Sequence, residues 1–169
     1  MSDDAAPVAT PSQTVGPFLH LALGGAHTRG SLVHGFPVGE RIRLGIRVID
    51  GDGQPVTDAL VELSYQGVFG RMPTGDDGAC EFETVRPGTV PNAPGGHHIS
   101  VCLFARGLLR QLHTRIYFAA DEAPADAVLA LVPEPRRGTL FAAADANDPH
   151  LWRFDIRLQG NDETVFFDM

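Results

Sequence analysis

Residues 41–50 read Arg-Ile-Arg-Leu-Gly-Ile-Arg-Val-Ile-Asp. Ile42, Leu44, Ile46 and Val48 recur at every second position, with Arg41, Arg43 and Arg47 set between them. A period of two puts the apolar set on one face of an extended strand and the charged set on the other, and no amphipathic helix has that spacing. The alternation returns near the C-terminus, where Trp152, Phe154, Ile156 and Leu158 interleave with Arg153, Asp155, Arg157 and Gln159. Half-buried strands at both ends of a chain demand a sheet with one covered face.

The segments between carry the same grammar. Asp50-Gly51-Asp52-Gly53-Gln54-Pro55 and Asp76-Asp77-Gly78 are turn clusters. Ala59, Val61 and Leu63 alternate with Leu60, Glu62 and Ser64; Cys80, Phe82 and Thr84 alternate with Glu81 and Glu83. His98 to Phe104 is nearly continuous in apolar content and reads as a strand buried on both faces. Leu112 to Phe118 is its expected hairpin partner, across Ala105 to Leu109. A short helix is expected over Ala123 to Leu131, capped by Asp121, and Thr164 to Phe167 closes the chain. The expected fold class is all-β: a mainly antiparallel β-sandwich with one or two short helices, forming one domain over residues 1–169.

Residues 1–40 read as an extended arm and loop. Met1 to Ala9 is small and acidic, and Thr10 to Phe18 holds Pro11, Gly16 and Pro17, which together rule out a helix or a central strand there. Glycines continue the stretch at Gly24, Gly25, Gly30 and Gly39.

Of the 169 residues, 43% are hydrophobic and 20% charged, well away from a disordered composition. A chain this long buries enough surface to fold without a metal or a disulfide. Its net charge of -8 argues against a nucleic-acid partner, and an anionic ligand would need a local cation. No apolar run approaches the roughly 20 residues of a membrane span, and no leader pattern opens the chain, so a soluble, cytoplasmic protein is expected. Cys80 and Cys102 have no CxxC spacing and read as buried free thiols.

Seven histidines raise a metal reading. His97 and His98 are adjacent, so on a strand they face opposite ways, while His113 on the next strand could approach His98. No carboxylate or cysteine completes a ligand spacing nearby. No GxSxG elbow is present, and Ser100 in mid-strand reads as packing. Arg106 follows the apolar strand directly. It reads either as a structural ion pair or as a fork for a carboxylate ligand. Arg136 and Arg137 read as a solvated pair.

Four segments carry a family resemblance: TPSQTVGPF (10–18), HHISVCLFARGLLRQLHTRIYF (97–118), PEPRRGTLFA (133–142) and WRFDIRLQGNDETVFFDM (152–169). Together they resemble the intradiol ring-cleavage dioxygenases, and within them the alpha chains of the two-chain members. In that family a catalytic beta chain holds a non-haem ferric iron with two tyrosines and two histidines, the second tyrosine after a Pro-Gly turn and the histidines as His-x-His. Here Arg86-Pro87-Gly88-Thr89-Val90 matches the turn with Val90 in the tyrosine position. His98 matches the first histidine, and Ser100 stands where the second belongs. The only tyrosines, Tyr65 and Tyr117, fall at neither ligand position.

The resemblance therefore implies a chain with no catalytic residue and no metal ligand of its own, and Fe(III) held by a homologous beta subunit in a hetero-oligomer of alpha–beta pairs. It implies cleavage of protocatechuate with dioxygen to 3-carboxy-cis,cis-muconate, in aromatic catabolism. It also implies that Thr14, Gly16, Pro17 and Phe18 line the substrate entrance of the partner's iron site, and that Arg106 orients the anionic aromatic acid. After Gln66 the chain departs from the family by lacking an aromatic-rich insertion. Two alternatives stand beside this reading: a non-catalytic binding or structural β-sandwich, and an independent metalloenzyme built on His97, His98 or His113.

Overall fold

A computed structural model describes residues 8–25, 28–35, 38–88, 97–118 and 126–168. Eight strands form one sheet: β1 (Arg41–Ile49), β2 (Leu60–Tyr65), β3 (Val68–Pro73), β4 (Ala79–Val85), β5 (His98–Phe104), β6 (Leu112–Phe118), β7 (Phe141–Ala144) and β8 (Leu151–Arg157). Their spatial order is β3-β2-β5-β6-β7-β8-β1-β4. Among the described residues three short α-helices accompany them: α1 (Leu19–Leu23), α2 (Ala127–Leu131) and α3 (Glu134–Arg137). No helix among the described residues is long and apolar enough to cross a membrane.

The alternating strands place their side chains as the period of two requires. Ile42, Leu44, Ile46 and Val48 of β1 are buried, as are Phe82 of β4 and Phe154 and Ile156 of β8. They meet Val61 and Leu63 of β2, Ile99, Val101 and Leu103 of β5, and Ile116 of β6 in one apolar core. The core is thus sandwiched between two halves of the sheet, β3-β2-β5-β6 and β8-β1-β4.

Five strand pairings are antiparallel. Two are parallel: β1 runs alongside β8 with Ile46 opposite Phe154, and β6 runs alongside β7 with Tyr117 opposite Phe141. The two halves join through β7. Its first residues, Phe141 and Ala142, pair with β6, and its last, Ala143 and Ala144, pair with β8. On the other side Arg29 exchanges hydrogen bonds with Arg71 of β3, while Glu83 of β4 bonds Gly30 and Leu32. This N-terminal segment stitches the two free edges together, so the sheet is nearly closed. Gly70 makes the stitch possible, because a Cβ there would stand 2.6 Å from Leu32 Cδ1 and 2.8 Å from the Arg29 carbonyl.

Several expectations need correction. β5 is covered on one face and not both: Ile99, Val101 and Leu103 are buried, whereas His98, Ser100, Cys102 and Phe104 are half-buried. Residues 68–73, given no element from the sequence, form β3. A two-residue turn at Gln66 (φ 51°) and Gly67 (φ 81°) joins it to β2, the left-handed pair that a tight hairpin needs. The segment read as an extended arm contains the single helical turn α1. Helix α2 is capped by Asp126, whose side chain accepts from the Val128 and Leu129 amides; Asp121, the expected cap, lies outside the described residues. Arg136 and Arg137 are not a solvated pair. Arg136 donates to the Glu163 carbonyl at 2.7 Å, and Arg137 donates to the carbonyls of Val132 and Ala130 at the end of α2.

Candidate functional site

After β5 the chain turns through Ala105, Arg106 and Gly107, with Gly107 at φ 90°. Ala105 is buried, which fixes the root of the turn and points Arg106 outward. Arg106 Nε donates to Asp58 in the turn before β2. Its side chain nevertheless stays 60% exposed against 19% for Asp58, so the remaining edge of the guanidinium faces solvent. The next amide, Gly107 N, donates to Thr14 Oγ1 at 2.8 Å. Gln13 and Val15 flank that contact and, with Phe104, Leu108 and Leu109, line a depression of about 130 Å³. The arm is therefore docked beside Arg106.

Of the expected substrate-facing residues, the structure brings Thr14 and Arg106 together through this turn. Gly16, Pro17 and Phe18 continue the arm as an exposed ridge. Among the described residues, chain neighbours apart, no atom lies within 4 Å of the position a Cβ would take at Gly16. Phe18 is 72% exposed, and its carbonyl accepts from Ala22 in α1. A phenylalanine presented this way is available to a surface outside this chain.

A second polar group sits on the outer face of β5 and β6, under α2. His98 and Tyr117 are register partners, with ring centroids 5.5 Å apart. Tyr117 Oη donates to Asp126 Oδ2 at 3.1 Å, and Arg115 Nη1 lies 3.4 Å from the same oxygen. His98 Nδ1 is 3.5 Å from that oxygen, close enough for an ion pair but buried and without a hydrogen bond among the described residues. Burial and the Arg115 charge push His98 below its usual range despite Asp126, so the ring is neutral and the contact is not a salt bridge. Burial raises the Asp126 carboxyl, but the Leu129 and Val128 amides, Tyr117 and Arg115 outweigh it and leave Asp126 below the ordinary carboxylate range. Burial raises the Tyr117 phenol.

This locus does not fit a ferric ion. Among the described residues His98 is the one imidazole that faces it, Ser100 sits where a second would be, and a guanidinium already stands among the other donors. Val90, matched to a tyrosine ligand, lies outside the described residues. His113 pairs with Cys102, four positions along β5 from His98, so the two histidines do not converge. His97 is exposed, beside Gly88. No group of three His, Cys, Asp or Glu side chains suited to a metal occurs among the described residues. Cys80 and Cys102 are free, and burial pushes their thiols up to about 12 and about 11, which makes them inert.

Asp58 and Asp126 carry no sequence signal, since their partners Arg106 and Tyr117 lie 48 and nine positions away. Arg115 and Tyr117 were readable as neighbours on one strand face, because they are two residues apart.

No family model matches the chain. The alpha chain of protocatechuate 3,4-dioxygenase from Pseudomonas putida is 42% identical to it, over 94% of this chain and 96% of its own length. The corresponding alpha chain from Burkholderia cepacia is 39% identical over 95% and 97%. The beta chain from Burkholderia cepacia is more distant, 31% identical over 81% of this chain and 72% of that one. Among solved structures, the dioxygenase domain of a carbohydrate-binding fusion protein from Streptomyces sp. SirexAA-E shares the fold with a TM-score of 0.59, covering 95% of this chain and 96% of that one at 22% identity. The identity to the two alpha chains exceeds that to the beta chain and spans nearly the whole sequence: the chain belongs to the protocatechuate 3,4-dioxygenase alpha-chain family of the intradiol ring-cleavage dioxygenases.

Proposed function

We propose that this chain works as the alpha subunit beside a homologous beta chain that carries the Fe(III), and that it contributes a charged wall of the substrate entrance for protocatechuate. One observation carries the reading: the Arg106 guanidinium, held at Nε by Asp58, keeps its outer edge open next to the docked arm. In a protein of net charge -8, such an edge is a local attractor for an aromatic carboxylate. Thr14, Gly16, Pro17 and Phe18 form the rest of the wall, and the exposed Phe18 ring is the contact offered to the beta chain. Iron bound by the beta chain would supply the oxygen chemistry. The residues of this chain bind and orient the acid and exclude water around it.

The test is Arg106→Ala in the reconstituted heteromer. A charge-assisted contact is worth roughly 1.5–3 kcal/mol, so kcat/KM for protocatechuate should fall on the order of 10- to 150-fold while iron content stays normal. A catechol without the carboxylate should be turned over about equally by wild type and variant. Equal damage toward both substrates would make Arg106 scaffold and refute the proposal.

A further inference from the structure

The cluster under α2 gathers potential metal-ligand side chains around one carboxylate oxygen, with an arginine beside them. Asp126 Oδ2 lies 3.1 Å from Tyr117 Oη and 3.5 Å from His98 Nδ1. Each of these two separations, taken singly, is close to one edge of a tetrahedron with metal–ligand bonds of about 2.1 Å. An imidazole nitrogen, a phenol oxygen and a carboxylate oxygen are all donors that a divalent ion accepts. Arg115 Nη1 stands 3.4 Å from Asp126 Oδ2 and 3.5 Å from Tyr117 Oη. Its guanidinium carbon lies 5.7 Å from the centre of the Phe167 ring, a contact that helps fix the side chain in place. The His98 Nδ1 atom is buried with no hydrogen-bond partner, so one donor of the set has no other task among the described residues.

We propose that Arg115 is an internal cation standing in for a metal ion among His98, Tyr117 and Asp126, and that removing its charge turns this cluster into a divalent-metal site. The guanidinium neutralises the Asp126 carboxylate while that same carboxylate caps α2 through its other oxygen. It also lets Tyr117 remain a phenol that donates to Asp126, with no ligand deprotonation required. A dication entering the cluster would stand within a few ångströms of a fixed positive charge, where repulsion is only weakly screened by solvent. The arrangement is a brace that ties β5, β6 and α2 together.

The experiment titrates the purified full-length chain with Co(II) and follows the visible d–d absorption of the bound ion. Wild type should show no binding that depends on His98. Arg115→Ala, and Arg115→Gln, which keeps the side-chain length without the charge, should each bind one equivalent about 100-fold or more tightly than wild type. Adding His98→Ala to either should abolish that gain, and Arg115→Lys, which keeps the charge, should stay free of cobalt. Where a neutral variant is poorly folded alone, cobalt should restore its circular dichroism by taking over the brace. The proposal fails if a folded neutral variant binds cobalt no better than wild type. It also fails if wild type already binds through His98, if Arg115→Lys binds as well as Arg115→Gln, or if cobalt does not rescue neutral variants that collapse.

Discussion

Gly107 donates its amide to Thr14 Oγ1 at 2.8 Å across 93 residues of sequence. Because Gly107 follows Arg106 directly, this bond sets the position of the arm relative to the guanidinium. Thr14→Val keeps the shape and removes the acceptor. A neutral hydrogen bond is worth about 0.5–1.5 kcal/mol, so the Gly107 amide should exchange with solvent about 2- to 10-fold faster in the variant. In the heteromer KM should rise with little change in kcat. Unaltered exchange at Gly107 would mean that the arm is held elsewhere.

Asp58 grips Arg106 from the side opposite its open edge. Asp58→Asn should leave stability within about 1 kcal/mol of wild type, since the arginine of the pair is largely exposed. It should raise KM for protocatechuate by less than Arg106→Ala does and spare a catechol without the carboxylate. A stability loss with unchanged kinetics would assign the pair to the scaffold.

Phe154 is 2% exposed and faces Ile46 across the parallel β1–β8 pair. Phe154→Ala should destabilise the fold by about 3–5 kcal/mol, read from denaturant midpoints. Trp152 is half-buried and packs edge-on against Phe118 with centroids 5.2 Å apart, so Trp152→Ala should cost less. The reverse order would mean that the strand face is wrongly assigned.

His98 and Asp126 give stability the same dependence on pH. Each has a folded pKa below its ordinary value, so the unfolded chain binds the proton first and stability falls as pH falls. The His98 contribution is complete above its ordinary value of 6.5 and is lost as pH drops through the lower folded one. The Asp126 contribution is lost in the same way below the carboxylate range. His98→Gln should flatten the first stage of the Tm decline, and Asp126→Asn, which still caps a helix, should flatten the second. An unchanged profile in either variant would refute its assignment.

The faces of β1, β4 and β8 were legible because each strand alternates cleanly and has one wet face. β5 misled because His98, Ser100 and Cys102 are only half-buried, on a face shared with Tyr117, Arg115 and His113 of β6. β3 was missed because Gln66-Gly67 lacks the Asn, Asp or Gly that marks the first left-handed position of a tight hairpin. The arm's role rested on a resemblance, and its docking contact is invisible to any local pattern because Thr14 and Gly107 are far apart in sequence. The same distance hid the Arg106–Asp58 pair, whereas the spacing of Arg115 and Tyr117 already set them side by side. Asp126 escaped because a helix cap has no period.

The parallel pairing of β1 with β8 joins Arg43 to Leu151 and Ile49 to Arg157, so more than a hundred residues separate the partners. By contrast, β2 with β3 and β5 with β6 are hairpins that close over a few residues. Loop closure over long separations slows folding, and the half-sheet containing β1 and β4 cannot receive β8 until residues 151–157 have left the ribosome. The hairpins should therefore form early, with the β1 edge open to other strands until β8 emerges. Yield of the folded chain should then depend on how fast β8 is delivered relative to encounters between unfinished chains.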